Sequence, residues 1–596
     1  MYSTPMRLRT HTCGDLRLTD IGAKVCLCGW VQTTRDFGKF IFIDIRDRFG
    51  ITQIAVNQLN ETKLYEFSKK LGREYVIQVS GTVAERSNKN PQIETGDIEI
   101  IPDEIKLLNA AEVPPFKVEN ITDGGEELRM QYRYLDLRRQ AMAQNLVLRA
   151  AMVRVMRRYL DENGFLEIET PNLIKATPEG ARDFLVPSRL HPGTFYALPQ
   201  SPQILKQLLM VSGMDRYYQV AKCFRDEDFR GDRQPEFTQL DCEMSFVTQN
   251  DVLDMFEGLV KTVFKEILGV HLPDLQKLSY ADAIRLYGTD KPDLRFGMPI
   301  HTFTRDEITG NFPVFEDSFS RNEIIAGICV AGAADLTRKE LDELTNFVKS
   351  PIRGGKGLFY LKYNPDGTLK SSADKFLNEN NLRSLVQAIQ AKPGDLVLVV
   401  TDAAQKSYKI LGDLRLEIGN KRGLRNPSDW SVLWVIDFPM FEYDPDSNQL
   451  VFVHHPFVAP NPDDVQLLET NPATVRAECY DMVINGNEIL SGSIRIHQRE
   501  LQNRIFNILK LTTDEIQEKF GFLLRAFEYG APPHGGCAFG LDRWCMLFAQ
   551  ASSIRDVIAF PKTNGGRDIM LDAPASVAQD SLHELHIAIQ SDSKSV

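Results

Sequence analysis

Apolar residues concentrate in five short segments of the first 110 residues, which are predicted to be strands separated by turns that contain Gly and Asn. These segments are residues 25–33, 40–46, 53–56, 75–83 and 98–107. One helical stretch, residues 61–71, follows the third of them. Five short strands with one helix after the third are typical of an OB-fold, which commonly binds oligonucleotides, although other small barrels share the pattern. We therefore predict an N-terminal OB-fold β-barrel.

A linker follows the predicted strands, and beyond it the apolar residues have helical spacing. Residues 114–125 contain two consecutive prolines and two consecutive glycines, which interrupt strands and helices alike. Apolar residues then recur at helical spacing from position 142 to 160, and Asn163 and Gly164 end this predicted helix. Residues 165–169 then alternate between apolar and polar, as expected of a strand. A second domain therefore starts beyond the linker.

Residues 291–423 contain their own predicted helices and strands but few clusters of reactive side chains. Because the chemically rich segments resume only after position 423, we interpret this stretch as an insertion that divides the second domain. The predicted segments are a barrel at 1–112, a linker at 113–140, the two parts of the second domain at 141–290 and 424–560, the insertion at 291–423, and a C-terminal extension at 561–596.

Composition narrows the class of protein. A chain of 596 residues is too long for one hydrophobic core. Its net charge of −12 argues against indiscriminate nucleic-acid binding, which needs clustered cations. We find no apolar run of membrane-spanning length and no export signal, so we expect a cytoplasmic protein without a membrane partner. Cys26 and Cys28, the closest cysteine pair, lack zinc-site spacing, and reduced thiols are expected.

Residues 217–225 and 237–246 predict a long β-hairpin. On its second strand Gln239, Asp241 and Glu243 share one face. A polar face on so apolar a strand is usually exposed to solvent. Arg225 and Glu227 at the mouth of the same hairpin favour a binding site instead.

A second hairpin is predicted around the Asn485-Gly486 pair, the strongest short hairpin signal. With a two-residue loop, Val483 faces Glu488, and Asp481 lies on the same face. Two converging carboxylates near phosphates suit Mg²⁺. Arg495 has the opposite parity, so it joins this face only if a bulge forms near residues 491–492, and we predict that bulge.

Arginines mark two further segments of the chain. The glycine-rich residues 534–540 precede a predicted helix whose first turn contains Arg543. A cation at this positive helix end requires an anion, either a polyphosphate ligand or a neighbouring acid. Eight arginines also lie between positions 129 and 158 against one acid, Asp136. By composition alone, that stretch is interpreted as a solvated helix face.

Three ordered motifs resemble those of the class II aminoacyl-tRNA synthetases. Residues 164–171 resemble motif 1, residues 224–227 with their hairpin resemble motif 2, and residues 540–543 resemble motif 3. Residues 176–183, 200–206 and 454–457 and the insertion are similar to the bacterial aspartyl branch, and the match covers nearly the whole chain. The chain departs from the family at residues 490–492, where a glycine run is usual, and at Trp544, where a smaller aliphatic residue is usual.

The resemblance implies an α+β fold, in which the OB-fold barrel binds the anticodon and an antiparallel class II sheet flanked by helices carries an inserted α+β domain. Motif 1 would form a homodimer interface, with the arginine-rich stretch near it or near tRNA. The implied activity is that of an aspartate–tRNA ligase, which joins L-aspartate to ATP as aspartyl-adenylate, releases pyrophosphate, and transfers aspartate to the 3′ end of tRNA(Asp). The alternatives are an asparaginyl or lysyl synthetase or a non-catalytic RNA-binding paralogue.

The resemblance also assigns site residues. Those implied for aspartate are Glu179, Ser201, Gln203, Lys206, Arg225, Gln239, Asp241, His454 and Arg495. Those implied for ATP are Arg225, Asp226, Glu227, Gln234, Phe237, Glu488, Gly540, Leu541, Asp542 and Arg543, with Arg225 and Arg543 catalytic. Mg²⁺ would bind Asp481 and Glu488.

For the anticodon, the residues are Arg35, Phe37, Phe42 and Gln53, with core burial as the alternative for Phe42. Phe37 stands where a choice between tRNA(Asp) and tRNA(Asn) would be made, and the sequence leaves that choice open. Lys206 and Arg495 favour aspartate over asparagine or lysine, because neither an amide nor an ammonium group needs two cations.

Overall fold

The computed structural model describes residues 8–59, 62–177, 180–227, 232–445 and 447–590, which belong to two compact units. The first unit comprises Met1–Ala150, Phe229–Gln234 and Ala551–Ala578, and the second comprises Ala151–Asp228, Pro235–Gln550 and Gln579–Val596. Within the described ranges, no helix is long and apolar enough to cross a membrane.

The first unit contains the predicted barrel. Its elements are β1 Lys24–Asp36, β2 Phe40–Arg46, β3 Ile51–Asn57, α1 Thr62–Ser68, β4 Val76–Glu85 and β5 Ile98–Asn109. The strands close in the order β1-β2-β3-β5-β4, which confirms five strands with one helix after the third. Ile41, Ile43 and Ile45 on alternate positions of β2 are completely buried, so Phe42 between them points away from the core. Core burial is therefore wrong for Phe42.

The arginine-rich stretch of the first unit includes α2 Glu126–Gln131 and α3 Arg133–Asp136. The fully buried Asp136 accepts hydrogen bonds from Arg133 and Arg139, each at 2.6 Å. Arg133 also donates to the carbonyls of Arg555, Ile558 and Ala559. The solvated face predicted from composition is wrong for Arg133 and Arg139, because both are buried against internal partners.

The second unit is built on an eight-stranded sheet. The elements before the insertion are α4 Gln140–Glu162, of which residues 140–150 belong to the first unit, β6 Leu166–Glu167, β7 Leu185–Pro187, β8 Phe195–Ala197, α5 Gln203–Val211, β9 Arg216–Phe224, β10 Glu236–Ser245, α6 Gln249–Val263, β11 Gln276–Ser279 and α7 Tyr280–Tyr287. The predicted hairpin is β9 and β10, which pair antiparallel. The strand predicted at residues 165–169 is only two residues long, because it is the last strand of the sheet and pairs with β9 alone.

The insertion forms a separate five-stranded sheet. Its elements are β12 His301–Phe303, α8 Pro313–Ser320, β13 Ile324–Val330, α9 Arg338–Lys349, β14 Phe359–Tyr363, β15 Leu369–Ser371, α10 Glu379–Ala388, β16 Leu396–Asp402 and α11 Ala404–Lys421. The strand order is β12-β13-β16-β14-β15. The central strand β16 sends alternate residues into two apolar clusters, one on each face of the sheet.

The chain then returns to the eight-stranded sheet. The remaining elements are β17 Val432–Ile436, β18 Phe441–Tyr443, β19 Leu450–Phe452, α12 Leu467–Thr470, β20 Cys479–Ile484, β21 Asn487–Ile494, α13 Arg499–Ile508, α14 Thr513–Phe527, β22 His534–Gly540, α15 Leu541–Phe548 and α16 Gln579–Glu584. The sheet order is β11-β17-β20-β21-β22-β10-β9-β6, antiparallel except for its two edge pairs. Trp544, one departure from the family pattern, is buried and stacks on Phe539.

Candidate active site

A cleft of about 450 Å³ lies over one face of the eight-stranded sheet. Side chains from α5, β10, β20 and β21 form much of its wall. The residues that line it are Ser201, Gln203, Lys206, Arg225, Gln239, Asp241, Tyr280, Asp290, Phe438, Val453, His454, His455, Cys479, Asp481, Glu488, Ser491, Gly492, Ser493, Arg495 and Ala538. The cleft thus brings together most residues assigned to aspartate and both assigned to Mg²⁺.

The second predicted hairpin is β20 and β21, and its turn determines where the two carboxylates lie. Asn485 and Gly486 both have positive φ, 51° and 79°, as a two-residue type I′ turn requires. Val483 pairs with Glu488, as predicted. Asp481 and Glu488 therefore line the same cleft.

The predicted bulge exists, but its position was wrong. Leu490 pairs with Met482 and Glu488 with Val483, so the extra residue is Ile489 and not residue 491 or 492. Beyond an extra residue the side chains of a strand exchange faces. Ser491, Ser493 and Arg495 consequently join Asp481 on the cleft face.

Lys206 and Arg495 lie at one end of the cleft, and both are already paired with acids. The Lys206 Nζ atom is 3.2 Å from Asp241 Oδ1 and 3.4 Å from Glu243 Oε2. Arg495 Nε donates to Glu243 Oε1 at 3.0 Å. Burial acts to raise the pKa of Glu243, but Arg495 and Lys206 bring it below its ordinary value. The two cations are therefore neutralised before any ligand binds, which the sequence did not indicate.

Besides an oxygen of Asp481, three polar atoms of this cleft are buried without a hydrogen-bond partner in the part of the chain that the structure describes. They are Asp241 Oδ2, Gln203 Nε2 and Arg225 Nε. A buried polar atom normally has a partner, because its desolvation is costly. One acceptor and two donors are thus available to a ligand.

The carboxylates of Asp481 and Glu488 form a contrasting part of the wall. Burial and the neighbouring Glu488 raise the pKa of Asp481 well above its ordinary value. Asp481 Oδ1 has no partner among the described residues. These features fit a cation with oxygen ligands. Mg²⁺ commonly takes one or two protein carboxylates and keeps several waters, so a pair such as Asp481 and Glu488 suits it.

Motifs 2 and 3 meet beside this wall. The Arg225 guanidinium lies 5.1 Å from the centre of the Phe237 ring. Arg543, in the first turn of α15, donates to the Glu488 carbonyl at 2.7 Å. Asp542 is buried and accepts from the Thr238 amide at 2.7 Å, which ties α15 to β10.

The other residues that the sequence assigned to ATP have different surroundings. The Leu541 side chain is buried, and Gly540 precedes α15 as its N-cap. The Asp226 amide donates to the Arg182 carbonyl, and Glu227 follows it in the chain. Gln234 lies in the first unit, where its side chain is bonded to the backbone of Lys562. Glu179 lies outside the described residues.

The sequence did not single out several residues of the cleft. His455 Nε2 lies 2.9 Å from Arg495 Nη1, next to His454 in the His454-His455 pair. The protein around His454 and the charge of Arg495 lower the pKa of His454 to about 4. Glu243 could have been assigned to the site from the sequence, since it shares a strand face with Asp241. No local signal indicated Asp290, which lies far from Asp481 in the sequence.

On the barrel, the four predicted anticodon residues lie close together. Arg35 forms two hydrogen bonds with Asp44, at 2.6 and 3.0 Å, and donates to Gln53. Phe37 is 68% exposed and contacts the edge of Phe42, which also stacks with Phe40. The outer surface therefore presents aromatic rings beside polar groups, which is suited to stacking on unpaired bases.

The family model for tRNA synthetases class II (D, K and N) matches residues 125–564, and a model for the OB-fold nucleic acid binding domain matches residues 25–108. The aspartate–tRNA ligases of Bacteroides fragilis and Parabacteroides distasonis are 56% and 57% identical over 98% of this chain and 99% of each relative. The asparaginyl-tRNA synthetase of Pyrococcus horikoshii, solved with asparaginyl-adenylate, is 18% identical, with a TM-score of 0.58 over 94% of this chain and 99% of that one. The aspartyl-tRNA synthetase of Entamoeba histolytica is 18% identical, with a TM-score of 0.55 over 91% and 89%.

Proposed function

Since this chain belongs to the class II tRNA synthetases, in the branch of the aspartate–tRNA ligases, we propose that its cleft activates L-aspartate with ATP and that the aspartyl group is then transferred to tRNA. One observation carries the assignment of the cleft. Two buried cations, Lys206 and Arg495, share a cavity with the unpartnered oxygen of Asp241. An amino acid with an acidic side chain offers its ammonium group to that oxygen and its side-chain carboxylate to the two cations.

In this proposal, the α-ammonium group of aspartate binds Asp241, with Glu179 as a second acid. The side-chain carboxylate binds Lys206 and Arg495, which share their charge with Asp241 and Glu243. Asparagine is rejected because its amide would leave these cations facing an N–H group. Ser201, Gln203, Gln239 and His454 complete the pocket.

ATP binds beside the amino acid. Arg225 holds the α-phosphate, and Phe237 and Arg543 enclose the adenine ring. Glu227 accepts from the adenine amino group. The remaining contacts come from Asp226 and from the backbone of the segment 540–542, whose side chains at Leu541 and Asp542 are buried. Gln234 supports the nucleotide.

The reaction has two steps. The first transfers the AMP group of ATP to aspartate, and the second transfers the aspartyl group to tRNA. The aspartate α-carboxylate oxygen attacks the α-phosphorus, an oxygen–phosphorus bond forms, and pyrophosphate leaves. A terminal ribose hydroxyl of the tRNA then attacks the mixed anhydride, and AMP leaves. The residues of the cleft act by positioning and by stabilising charge. When bound, Mg²⁺ at Asp481 and Glu488 would neutralise negative charge on the phosphates.

The tRNA partner of the proposal is tRNA(Asp), with its anticodon on the barrel surface of Arg35, Phe37 and Phe42. Gln53 is buried, and its side chain accepts from Arg35 and donates to Glu99, so its proposed role is to hold Arg35 in place. The exposed position of Phe37 supports a contact with a base. Phe37 is also where we assign the choice between tRNA(Asp) and tRNA(Asn). Charging assays with the two purified tRNAs test that choice directly.

Homodimer formation is the remaining part of the proposal. Strand β6, from motif 1, is at the edge of the eight-stranded sheet, and Leu166 on it is 52% exposed. An exposed edge strand with an apolar side chain is suited to contact a second copy. Sedimentation velocity tests this, and we expect Leu166→Lys to shift the protein towards monomer.

Amino-acid-dependent exchange between ATP and pyrophosphate tests the activity. We expect exchange with aspartate and background rates with asparagine or lysine, and Arg225→Ala should abolish it. Exchange with asparagine or lysine instead would identify another synthetase specificity. No exchange with any amino acid would favour an RNA-binding paralogue without catalysis.

A further inference from the structure

Asp290 lies on the wall of the cleft although it belongs to the segment that enters the insertion. The segment, residues 288–297, follows α7 and leads towards β12. Asp290 lines the same cavity as Asp481 and Glu488, and Tyr280 at the start of α7 lines it too. We call residues 288–297 the insertion root. It supplies a third carboxylate to a wall that already contains two.

The insertion root is held by a buried arginine of α11. The Arg415 guanidinium donates to the carbonyls of Asp293 and Phe296, each at 2.7 Å, and to that of Gly297. Asp293 is buried and pairs with Arg295 at 2.6 Å and with Arg425 at 2.9 Å. The C-terminal end of the insertion is thereby tied to the root.

Backbone contacts restrict the root further. A Cβ atom at Gly288 would collide with the Tyr408 carbonyl of α11, and one at Gly412 would lie 2.7 Å from the Tyr287 carbonyl. At the other side, a Cβ atom at Gly486 would lie 3.1 Å from the Asp293 Cβ atom. The root therefore touches the turn of the hairpin that carries Asp481 and Glu488. Its position relative to those carboxylates is fixed by packing.

We propose that Asp290 is a positioning residue for the divalent cation that accompanies ATP, and that it acts through cation-bound water. Asp481 Oδ1 is buried and without a partner among the described residues, as suits an oxygen ligand of that cation. Since the described residues include no three such side chains placed to hold one ion together, we assign Asp290 to the water bound to the cation. Mg²⁺ retains several waters when it binds proteins, and a nearby carboxylate can accept hydrogen bonds from them. The insertion thus contributes to activation through its root.

The inference rests on the proposed function and is tested with the Asp290→Asn enzyme. We expect the Mg²⁺ concentration for half-maximal aspartate-dependent exchange to rise about fivefold to tenfold, with the maximal rate largely recovered at saturating Mg²⁺. Binding of Mn²⁺ in the presence of a non-hydrolysable ATP analogue, followed by electron paramagnetic resonance, should weaken by a similar factor. Asp290→Glu, which retains the carboxylate, should restore part of the affinity.

Asp335→Asn is the matched control, because it removes one negative charge from an exposed position of the insertion. It should leave both measurements unchanged. If Asp290→Asn has the cation dependence of the wild type in exchange and in Mn²⁺ binding, the inference is wrong while the proposed function stands. If the wild type itself shows no aspartate-dependent exchange, the proposed function fails first, and Mn²⁺ binding alone then decides the role of Asp290.

Discussion

The two ends of the cleft differ in how their charged side chains are paired. At the end we assign to the amino acid, Lys206 and Arg495 are fully buried and each is paired with an acid of β10. At the end we assign to the nucleotide, Asp481 and Glu488 are neighbours, and burial together with Glu488 raises the pKa of Asp481 well above its ordinary value. The charges of the first end are paired within the protein, whereas those of the second end have the same sign.

Under the proposed function, this difference lets one cleft bind two charged substrates. Buried ion pairs with hydrogen bonds hold their side chains rigidly, so the amino-acid end presents a fixed geometry that discriminates between similar ligands. The nucleotide end gains its missing charge only with the metal-bound nucleotide, so its affinity depends on that cation. Substitutions at the two ends should therefore have different effects on stability.

The largest effect is expected for Lys206→Met. It leaves Asp241 without its cation and Glu243 with only Arg495, and breaking a buried pair costs about 3–5 kcal/mol. We expect the free energy of unfolding, measured with urea, to fall by about this amount and aspartate-dependent exchange to fall at least about a thousandfold. Lys222→Met, at an exposed position of β9, is the control. Equal stability of the two variants would show that the ion pairs do not hold this end together.

Asp481→Asn should separate activity from stability. Exchange should fall about a hundredfold, because a ligand of the proposed cation is lost. The free energy of unfolding should stay within about 1 kcal/mol of the wild type or increase, since a buried carboxylate with a raised pKa destabilises the protein at neutral pH. A loss of stability as large as that of Lys206→Met would contradict the contrast between the two ends.

Phe37→Ala tests whether tRNA recognition is independent of both ends. Stacking of a base on an aromatic ring contributes about 1–3 kcal/mol, so we expect kcat/KM for tRNA in the charging assay to fall about tenfold. Exchange without tRNA should be unchanged. Phe49→Ala, at another partly exposed aromatic position of the barrel, should charge tRNA normally. A decrease in exchange for Phe37→Ala would argue against separate roles for barrel and cleft.

The smallest effect concerns Glu478, which precedes Cys479 of the cleft wall. Burial and the neighbouring Asp437 raise the pKa of Glu478 to about 7. Because the folded protein binds this proton more tightly than the unfolded chain, the stabilisation is present at low pH and is lost as the pH rises through about 7. We expect the unfolding free energy of the wild type to fall by about 1–3 kcal/mol more than that of Glu478→Gln between about pH 5 and pH 8. Parallel pH profiles would refute this.

Local patterns were enough to predict several features. The barrel was predicted from five short apolar segments with one helical stretch after the third, because turn residues divide such a chain into short strands. The register of Val483 with Glu488 followed from Asn485 and Gly486, because residues that readily adopt positive φ favour this turn. The three motifs and the family they resemble were likewise present in short stretches of sequence.

The sequence by itself determined the elements, the motifs and the types of charged group that the cleft would contain. Only the tertiary structure decided which charges neutralise one another. Arg495 pairs with Glu243 across 252 residues, and Lys206 donates to the Cys537 carbonyl across 331 residues. The tertiary structure also placed the bulge at Ile489 in β21, which pairs with β20 on one side and β22 on the other. It brought Asp290 of the insertion root to the wall of the cleft. The physical reason is that electrostatic pairing depends on distance in space, whereas a sequence pattern records only distance along the chain.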